Sequence, residues 1–179
     1  MKALILNCSP VRDGATAEIC GIAANALQER FAVTASCIDD FSFSFCKGCR
    51  TCHETAKCVL HDDVEKLMCL FAENDVLLLV APSYWGDVPG QFKAFIDRCT
   101  PWSNTHDPHA VLPAGKKGYC ITLRTGDGEK EAIHLCDTIA HFFSHLNIEA
   151  AGRLPLTSVA YREDVEEKKN QIESFCKTI

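Results

Sequence analysis

Short apolar runs alternate along the chain with segments in which apolar side chains recur at helical spacing. Residues 2–7 and 75–81 are almost continuously apolar, which is typical of strands buried on both faces of a parallel sheet. The predicted strands are residues 2–7, 32–38, 75–81, 118–123 and 148–151. The predicted helices are residues 15–31, a segment that begins at 62, and residues 92–99, 129–146 and 163–179. This alternation predicts an α/β fold of three layers, with helices on both faces of a five-stranded parallel sheet.

The loops that follow the predicted strands are the expected place for a ligand. In a parallel α/β sheet, ligands bind beyond the carboxyl ends of the strands. Residues 8–16, 82–90 and 124–128 follow the first, third and fourth strands, and a cysteine-rich loop at 46–58 follows the second. We expect all four loops to open on the same edge of the sheet.

The length and charge of the chain narrow the range of functions. The sequence has no low-complexity tract or linker, so we expect one domain over residues 1–179. The net charge is −6 and Lys and Arg do not cluster, which argues against a nucleic-acid partner. No apolar run approaches a membrane span, and the opening apolar stretch is too short for a signal peptide. We therefore expect a cytoplasmic protein without a membrane partner.

Residues 8–16 have the composition of an anion site at a helix N-terminus. Ser9 and Thr16 offer hydroxyls, Gly14 permits a close approach, and the first N–H groups of the helix carry partial positive charge. The loop has neither the P-loop pattern nor the G-x-G-x-x-G pattern, which disfavours a nucleoside triphosphatase and a statically bound dinucleotide. A tyrosine phosphatase would need Arg where Gly14 lies. These exclusions leave a monophosphate site, with an ordinary capped helix start as the alternative.

The loop after the third predicted strand has the composition of a site for a flat heterocycle. It begins with Pro82, Ser83, Tyr84, Trp85 and Gly86. Two aromatic rings next to a glycine permit close stacking of a planar ligand, although rings near a strand end also often pack against the protein itself. Residues 124–128, at the end of the fourth strand, are polar and flexible and form a weaker candidate.

Four of the twelve cysteines follow the pattern C-x2-C-x2-C-x5-C. They are Cys46, Cys49, Cys52 and Cys58. Three thiolates two residues apart, with a fourth nearby, are typical of the ligands of an iron–sulfur cluster. Zinc is the alternative metal, but structural zinc usually takes two cysteine pairs from separate hairpins. The remaining alternative is that a cysteine-rich chain places these residues together by chance.

The four loops together resemble those of the flavodoxin-like NAD(P)H-dependent FMN reductase superfamily, and within it those of the iron–sulfur flavoproteins. The resemblance extends through most of the chain. It rests on the opening strand with Ser9-Pro10, the cysteine run followed by Val59 and Asp62-Asp63, residues 81–86 followed by 91–98, and Thr125-Gly126.

The resemblance implies a flavodoxin-like fold and FMN as the cofactor. The FMN phosphate would be bound by Ser9, Val11, Arg12, Gly14, Ala15 and Thr16. The isoalloxazine ring would be lined by Pro82, Ser83, Tyr84, Trp85, Gly86, Thr125, Gly126 and Asp127. The four cysteines of the run would hold a 4Fe-4S cluster near the flavin. Val11 and Ala15 stand where the superfamily usually has Arg and Asn, and Arg12 is expected to reach the phosphate in their place.

The activity implied by the resemblance is that of an FMN-dependent oxidoreductase or electron-transfer flavoprotein, which passes electrons between FMN and the cluster. NAD(P)H would be a transient donor, and no side chain is required as a catalytic acid or base because the flavin supplies the chemistry. One alternative is a cluster-free NAD(P)H-dependent FMN or quinone reductase, and another is a non-enzymatic redox carrier or sensor. The superfamily also implies a homodimer or homotetramer that exchanges electrons with small molecules or redox proteins.

Overall fold

The computed structural model describes residues 1–179 and contains one sheet of five parallel strands. The strands are β1 Lys2–Asn7, β2 Ala32–Cys37, β3 Val76–Pro82, β4 Lys117–Leu123 and β5 Glu149–Leu156. Their order across the sheet is β2-β1-β3-β4-β5, and every neighbouring pair is parallel. This is the order of flavodoxin-like sheets, in which the strand order reverses between β1 and β3. The predicted fold class is confirmed.

Six α-helices connect the strands and cover both faces of the sheet. They are α1 Ala15–Leu27, α2 Cys52–Thr55, α3 Val64–Glu73, α4 Gly90–Arg98, α5 Glu129–His145 and α6 Lys169–Cys176. On one face, α3, α4 and α5 contribute to a core cluster of 24 buried residues. On the other face, α1 and α6 contribute to a cluster of 18. The central strand β3 is buried along almost its whole length, as its continuous apolar run predicts.

The structure differs from the predicted elements mainly near the C-terminus. Strand β5 extends to Leu156, five residues beyond the predicted end, because an edge strand tolerates Gly152 and Pro155, which interrupt the apolar pattern. The predicted closing helix is divided into a 3₁₀ helix at Arg162–Lys168 and the short helix α6.

The longest helix, α5, has 17 residues and carries several charges. None of the helices combines the length and the apolar composition that crossing a bilayer requires.

Candidate functional site

Three of the four predicted loops meet in one cleft of about 200 Å³ at the carboxyl edge of the sheet. The lining residues that the sequence predicted are Ser9, Val11, Gly14, Ala15, Thr16, Pro82, Ser83, Tyr84 and Thr125. The cleft is also lined by Arg124, which belongs to the weaker candidate loop at 124–128, and by three residues that the prediction left out: Leu123, Val159 and Ala160. Val159 and Ala160 follow β5, so the rule of the carboxyl edge could have found them had the end of that strand been predicted correctly.

The first loop is held open by its own hydrogen bonds. Asn7 Oδ1 accepts from the Ser9 N–H at 2.9 Å, and Asn7 Nδ2 donates to the Val11 carbonyl at 3.0 Å. The Ser9 hydroxyl accepts from the Val11 N–H at 3.1 Å. Gly14 is the N-cap of α1, and no side chain caps the first turn. The N–H groups that begin α1 are therefore left to an anion in the cleft.

Arg12 does not line the cleft, contrary to the expectation that it reaches the phosphate. Its Nη1 lies 2.5 Å from Asp40 and its Nε lies 3.0 Å from Asp39, with a further hydrogen bond from Nη2 to the Asp39 carbonyl. Two carboxylates at the end of β2 thus hold the guanidinium outside the cleft. In this structure the anion site therefore has the partial positive charge of the helix N-terminus but not the charge of Arg12.

Residues 84–87 form a two-residue turn at the rim of the cleft. The Tyr84 N–H donates to the Asp87 carbonyl at 2.8 Å, and the Asp87 N–H donates back at 3.2 Å. Trp85 and Gly86 both have positive φ, +56° and +82°, as a type I′ turn requires. The Trp85 side chain is fully exposed, so neither Trp85 nor Gly86 lines the cleft directly. The turn presents an unburied aromatic ring next to the site.

The side chain of Arg124 contacts the end of the loop at 124–128 and the first turn of α5. Its Nη1 donates to the Gly128 carbonyl at 3.0 Å and lies 3.5 Å from Glu131, whose carboxylate also accepts from the Ser83 hydroxyl. A Cβ on Gly126 would lie 2.5 Å from Arg124 Nη2, so the guanidinium packs closely against the backbone of this glycine and would have to shift for a larger residue. Gly126 and Asp127 lie in the loop but outside the cleft lining. Arg124 thereby links the loop at 124–128 to the loop at 82–90 through Glu131.

The four predicted metal ligands line a separate cavity. Cys46, Cys49, Cys52 and Cys58 surround it together with residues of α4 and of the segment after it. The cavity measures about 30 Å³. Cys46 and Cys49 are exposed, whereas Cys52 and Cys58 are partly buried. This cavity and the cleft share no lining residue. The cysteine loop is thus the one predicted loop that does not join the others.

Backbone N–H groups donate to two of the four cysteine sulfurs. The Gly48 N–H donates to Cys46 Sγ and the Leu60 N–H donates to Cys58 Sγ, both at 3.5 Å. The backbone N–H and hydroxyl of Thr51 lower the pKa of Cys49, whereas burial raises the pKa of Cys52. Four thiols at one cavity, with N–H donors at two sulfurs, have the chemistry of an iron–sulfur ligand set. No three His, Cys, Asp or Glu side chains of residues 1–179 converge on a position for a single metal ion.

Comparison with known proteins gives matches over most of the chain. The family described as NADPH-dependent FMN reductase matches residues 1–150. An iron–sulfur flavoprotein of Archaeoglobus fulgidus is 32% identical over 134 residues, which are 74% of this chain and 59% of that protein. An iron–sulfur flavoprotein of Methanocaldococcus jannaschii is 33% identical over 102 residues, which are 56% of this chain and 53% of that protein. The chain therefore spans less than two thirds of the length of these relatives.

The fold is also found in solved structures. The crystal structure of Smu.1420 from Streptococcus mutans UA159 matches with a TM-score of 0.74 and 19% identity, and the match covers 100% of both chains. That likeness shows a shared fold. Since the match to the family extends over residues 1–150 and includes all four predicted loops, the chain belongs to the NADPH-dependent FMN reductase family.

Proposed function

We propose that this protein is an FMN-dependent oxidoreductase whose cleft holds FMN. The observation that carries the proposal is the cleft itself, in which an uncapped helix N-terminus and the ends of β3 and β4 meet. A helix N-terminus favours a phosphate, and the neighbouring apolar and aromatic residues favour a flat ring. Membership of the family and the likeness to iron–sulfur flavoproteins support the same cofactor.

The residues of the cleft divide into two roles. The N–H groups at the start of α1, with the Thr16 hydroxyl beside them, would bind the phosphate. Pro82, Tyr84 and Thr125 would lie along the ring, and Arg124 would hold the loops at 82–90 and 124–128 in fixed positions relative to each other through Glu131. FMN, when bound, accepts electrons in pairs and releases them singly, so the side chains need only bind, orient and shield it.

We further propose that Cys46, Cys49, Cys52 and Cys58 bind a 4Fe-4S cluster that exchanges electrons with the flavin. The composition of the ligand set, its N–H donors and the names of the relatives support this step. NAD(P)H would be the transient electron donor, in keeping with the family description.

A specific observation favours a second candidate function. The cysteine cavity shares no lining residue with the cleft, so no residue of the cysteine loop contributes to the walls of the cleft. A cluster-free FMN or quinone reductase would use the cleft alone and leave the cysteines as thiols.

The experiment is cofactor analysis on protein purified without oxygen and reconstituted with FMN, iron and sulfide. We expect one flavin and about four irons and four sulfides per chain, with flavin bleaching on addition of NADPH or NADH. Flavin binding and bleaching without iron would establish the cluster-free reductase instead. Failure to bind FMN at all would contradict both candidates.

A further inference from the structure

Arg98, the last residue of α4, is buried in a way that is unusual for an arginine. Its side chain is 1% exposed, and it forms two hydrogen bonds with the Asp62 carboxylate, at 2.7 and 2.9 Å. A buried charge is costly unless it is paired and hydrogen-bonded. Arg98 lies in the segment 91–98 that contributes to the family resemblance, but the sequence assigns this residue no role of its own.

The remaining hydrogen bonds of Arg98 join the two ends of the cysteine loop. Nη1 donates to the Ser44 carbonyl at 2.7 Å, just before Cys46, and Nη2 donates to the Leu60 carbonyl at 3.3 Å, just after Cys58. Asp62 reinforces the same closure, because its Oδ2 accepts from the Ser44 N–H at 3.1 Å. All four cysteine ligands therefore lie on a loop whose ends are held together by one ion pair.

Arg98 also faces the ligands themselves. It lines the cavity with the four cysteines, and its Nε has no hydrogen-bond acceptor in the structure. A guanidinium keeps its positive charge in proteins, and the hydrogen-bonded Asp62 carboxylate stabilises that charge here. The guanidinium is therefore charged next to Cys58 and keeps one donor unused.

We propose that Arg98 is a positioning residue that raises the reduction potential of the cluster held by the cysteine loop; this rests on the proposed 4Fe-4S site. A cluster gains one negative charge on reduction, so a fixed cation beside it stabilises the reduced form. Asp62 offsets part of that charge, and the two residues should therefore act on the potential in opposite directions.

The test is the midpoint potential of the reconstituted cluster, followed by absorbance and electron paramagnetic resonance. We expect Arg98→Met to lower the potential, Asp62→Asn to raise it, and Arg98→Lys to leave it nearer the wild-type value while iron is lost faster to a chelator. The matched control is Arg153→Met, which removes an arginine paired with Asp137 at the same 2.7 Å but on the edge strand β5. The control should keep the wild-type potential.

The outcomes separate this inference from the proposed function. If the wild type binds a cluster but Arg98→Met and Arg153→Met have the same potential, the inference is wrong and the proposed function stands. Equal shifts in the same direction for Arg98→Met and Asp62→Asn would show that the pair only closes the loop, which also overturns it. If the wild type takes up no iron, the proposed 4Fe-4S site and this inference both fail, and the FMN-dependent function of the cleft is then decided by flavin binding alone. Should Arg98→Met not fold, the milder Asp62→Asn variant still tests the inference, because its midpoint potential must be higher than that of the wild type.

Discussion

At Gly118 the sheet and helix α5 lie so close together that no side chain fits between them. A Cβ at this position would lie 2.5 Å from Phe143, whose ring is 1% exposed and enclosed by the core. We expect Gly118→Ala to lower the free energy of unfolding by about 1–3 kcal/mol, the usual cost of overpacking a core. Equilibrium unfolding in urea measures it.

The matched control for this substitution is Gly21→Ala, because a Cβ at Gly21 in α1 would meet nothing within 4 Å. Alanine is the better helix former, so this variant should gain up to about 1 kcal/mol. If both variants lose the same free energy, close packing at Gly118 is not the cause.

Asp40 gives the protein a stability that depends on pH. The Cys37 N–H, at 2.7 Å, lowers the pKa of Asp40, and Arg12 and Ser36 lower it further. Because the folded pKa lies below the ordinary value of 3.8, this stabilisation is complete above that pH and is lost as the pH falls through the lowered pKa. We expect Asp40→Asn to be less stable than the wild type at pH 7, and the two stability curves to converge as the pH falls below 3.8 and through the lowered pKa of Asp40.

The measurement is urea unfolding of both proteins between pH 3 and pH 7. Asp137→Asn is the control, since it breaks an ion pair of similar length whose partners are 55% and 61% exposed. Exposed pairs contribute little, so its curve should follow that of the wild type. A constant difference between Asp40→Asn and the wild type across the pH range would rule out titration of Asp40 as the cause.

At the scale of elements, the turn at 84–87 is a place where a substitution can change FMN binding without lowering the stability of the fold. Trp85 is fully exposed and has positive φ, so its ring adds nothing to the core. Asn followed by Gly is the preferred pair for a type I′ turn. We expect Trp85→Asn to keep or raise the thermal stability of the apoprotein and to weaken FMN binding about two- to tenfold, the worth of one aromatic contact.

Flavin fluorescence titration and thermal unfolding test this prediction together. Val111→Asn, which replaces an apolar residue that is 73% exposed and lies outside the cleft, is the control and should change neither quantity. Loss of stability in Trp85→Asn would mean that the ring packs against the protein. Unchanged FMN affinity would mean that the turn does not contact the cofactor.

The elements also show how far a sequence specifies this fold. Strands β1 and β3 could be predicted within one residue, because a strand buried on both faces has a continuous apolar run. The end of β5 could not be predicted. Gly152 and Pro155 are tolerated in an edge strand, and the sequence alone does not show which strand lies at the edge. The 3₁₀ helix at Arg162–Lys168 was missed for a related reason: its charged residues continue the helical pattern of α6.

The sequence predicted which loops line the candidate site better than it predicted where individual side chains point. Loop motifs identified most of the cleft because strand ends determine where those loops lie. The position of Arg12 was not predictable, since it depends on Asp39 and Asp40, which are distant in sequence. The same holds for Arg98, whose partners Asp62 and Ser44 flank the cysteine loop and are distant from Arg98 in sequence.

In the molecule as a whole, the cleft and the cysteine cavity are built from different residues. Sites without shared partners usually respond to substitution independently, within about 0.5 kcal/mol. We therefore expect a variant with Cys46, Cys49, Cys52 and Cys58 all changed to serine to bind FMN within about twofold of the wild-type affinity.

Conversely, Thr16→Val, which removes a hydroxyl from the cleft, should weaken FMN binding and leave the iron content unchanged. Fluorescence titration and iron analysis on both variants measure the coupling. A large loss of FMN affinity in the serine variant would show that the cysteine loop supports the flavin site, and electron exchange between the two cofactors would then have a structural route that the cavities alone do not reveal.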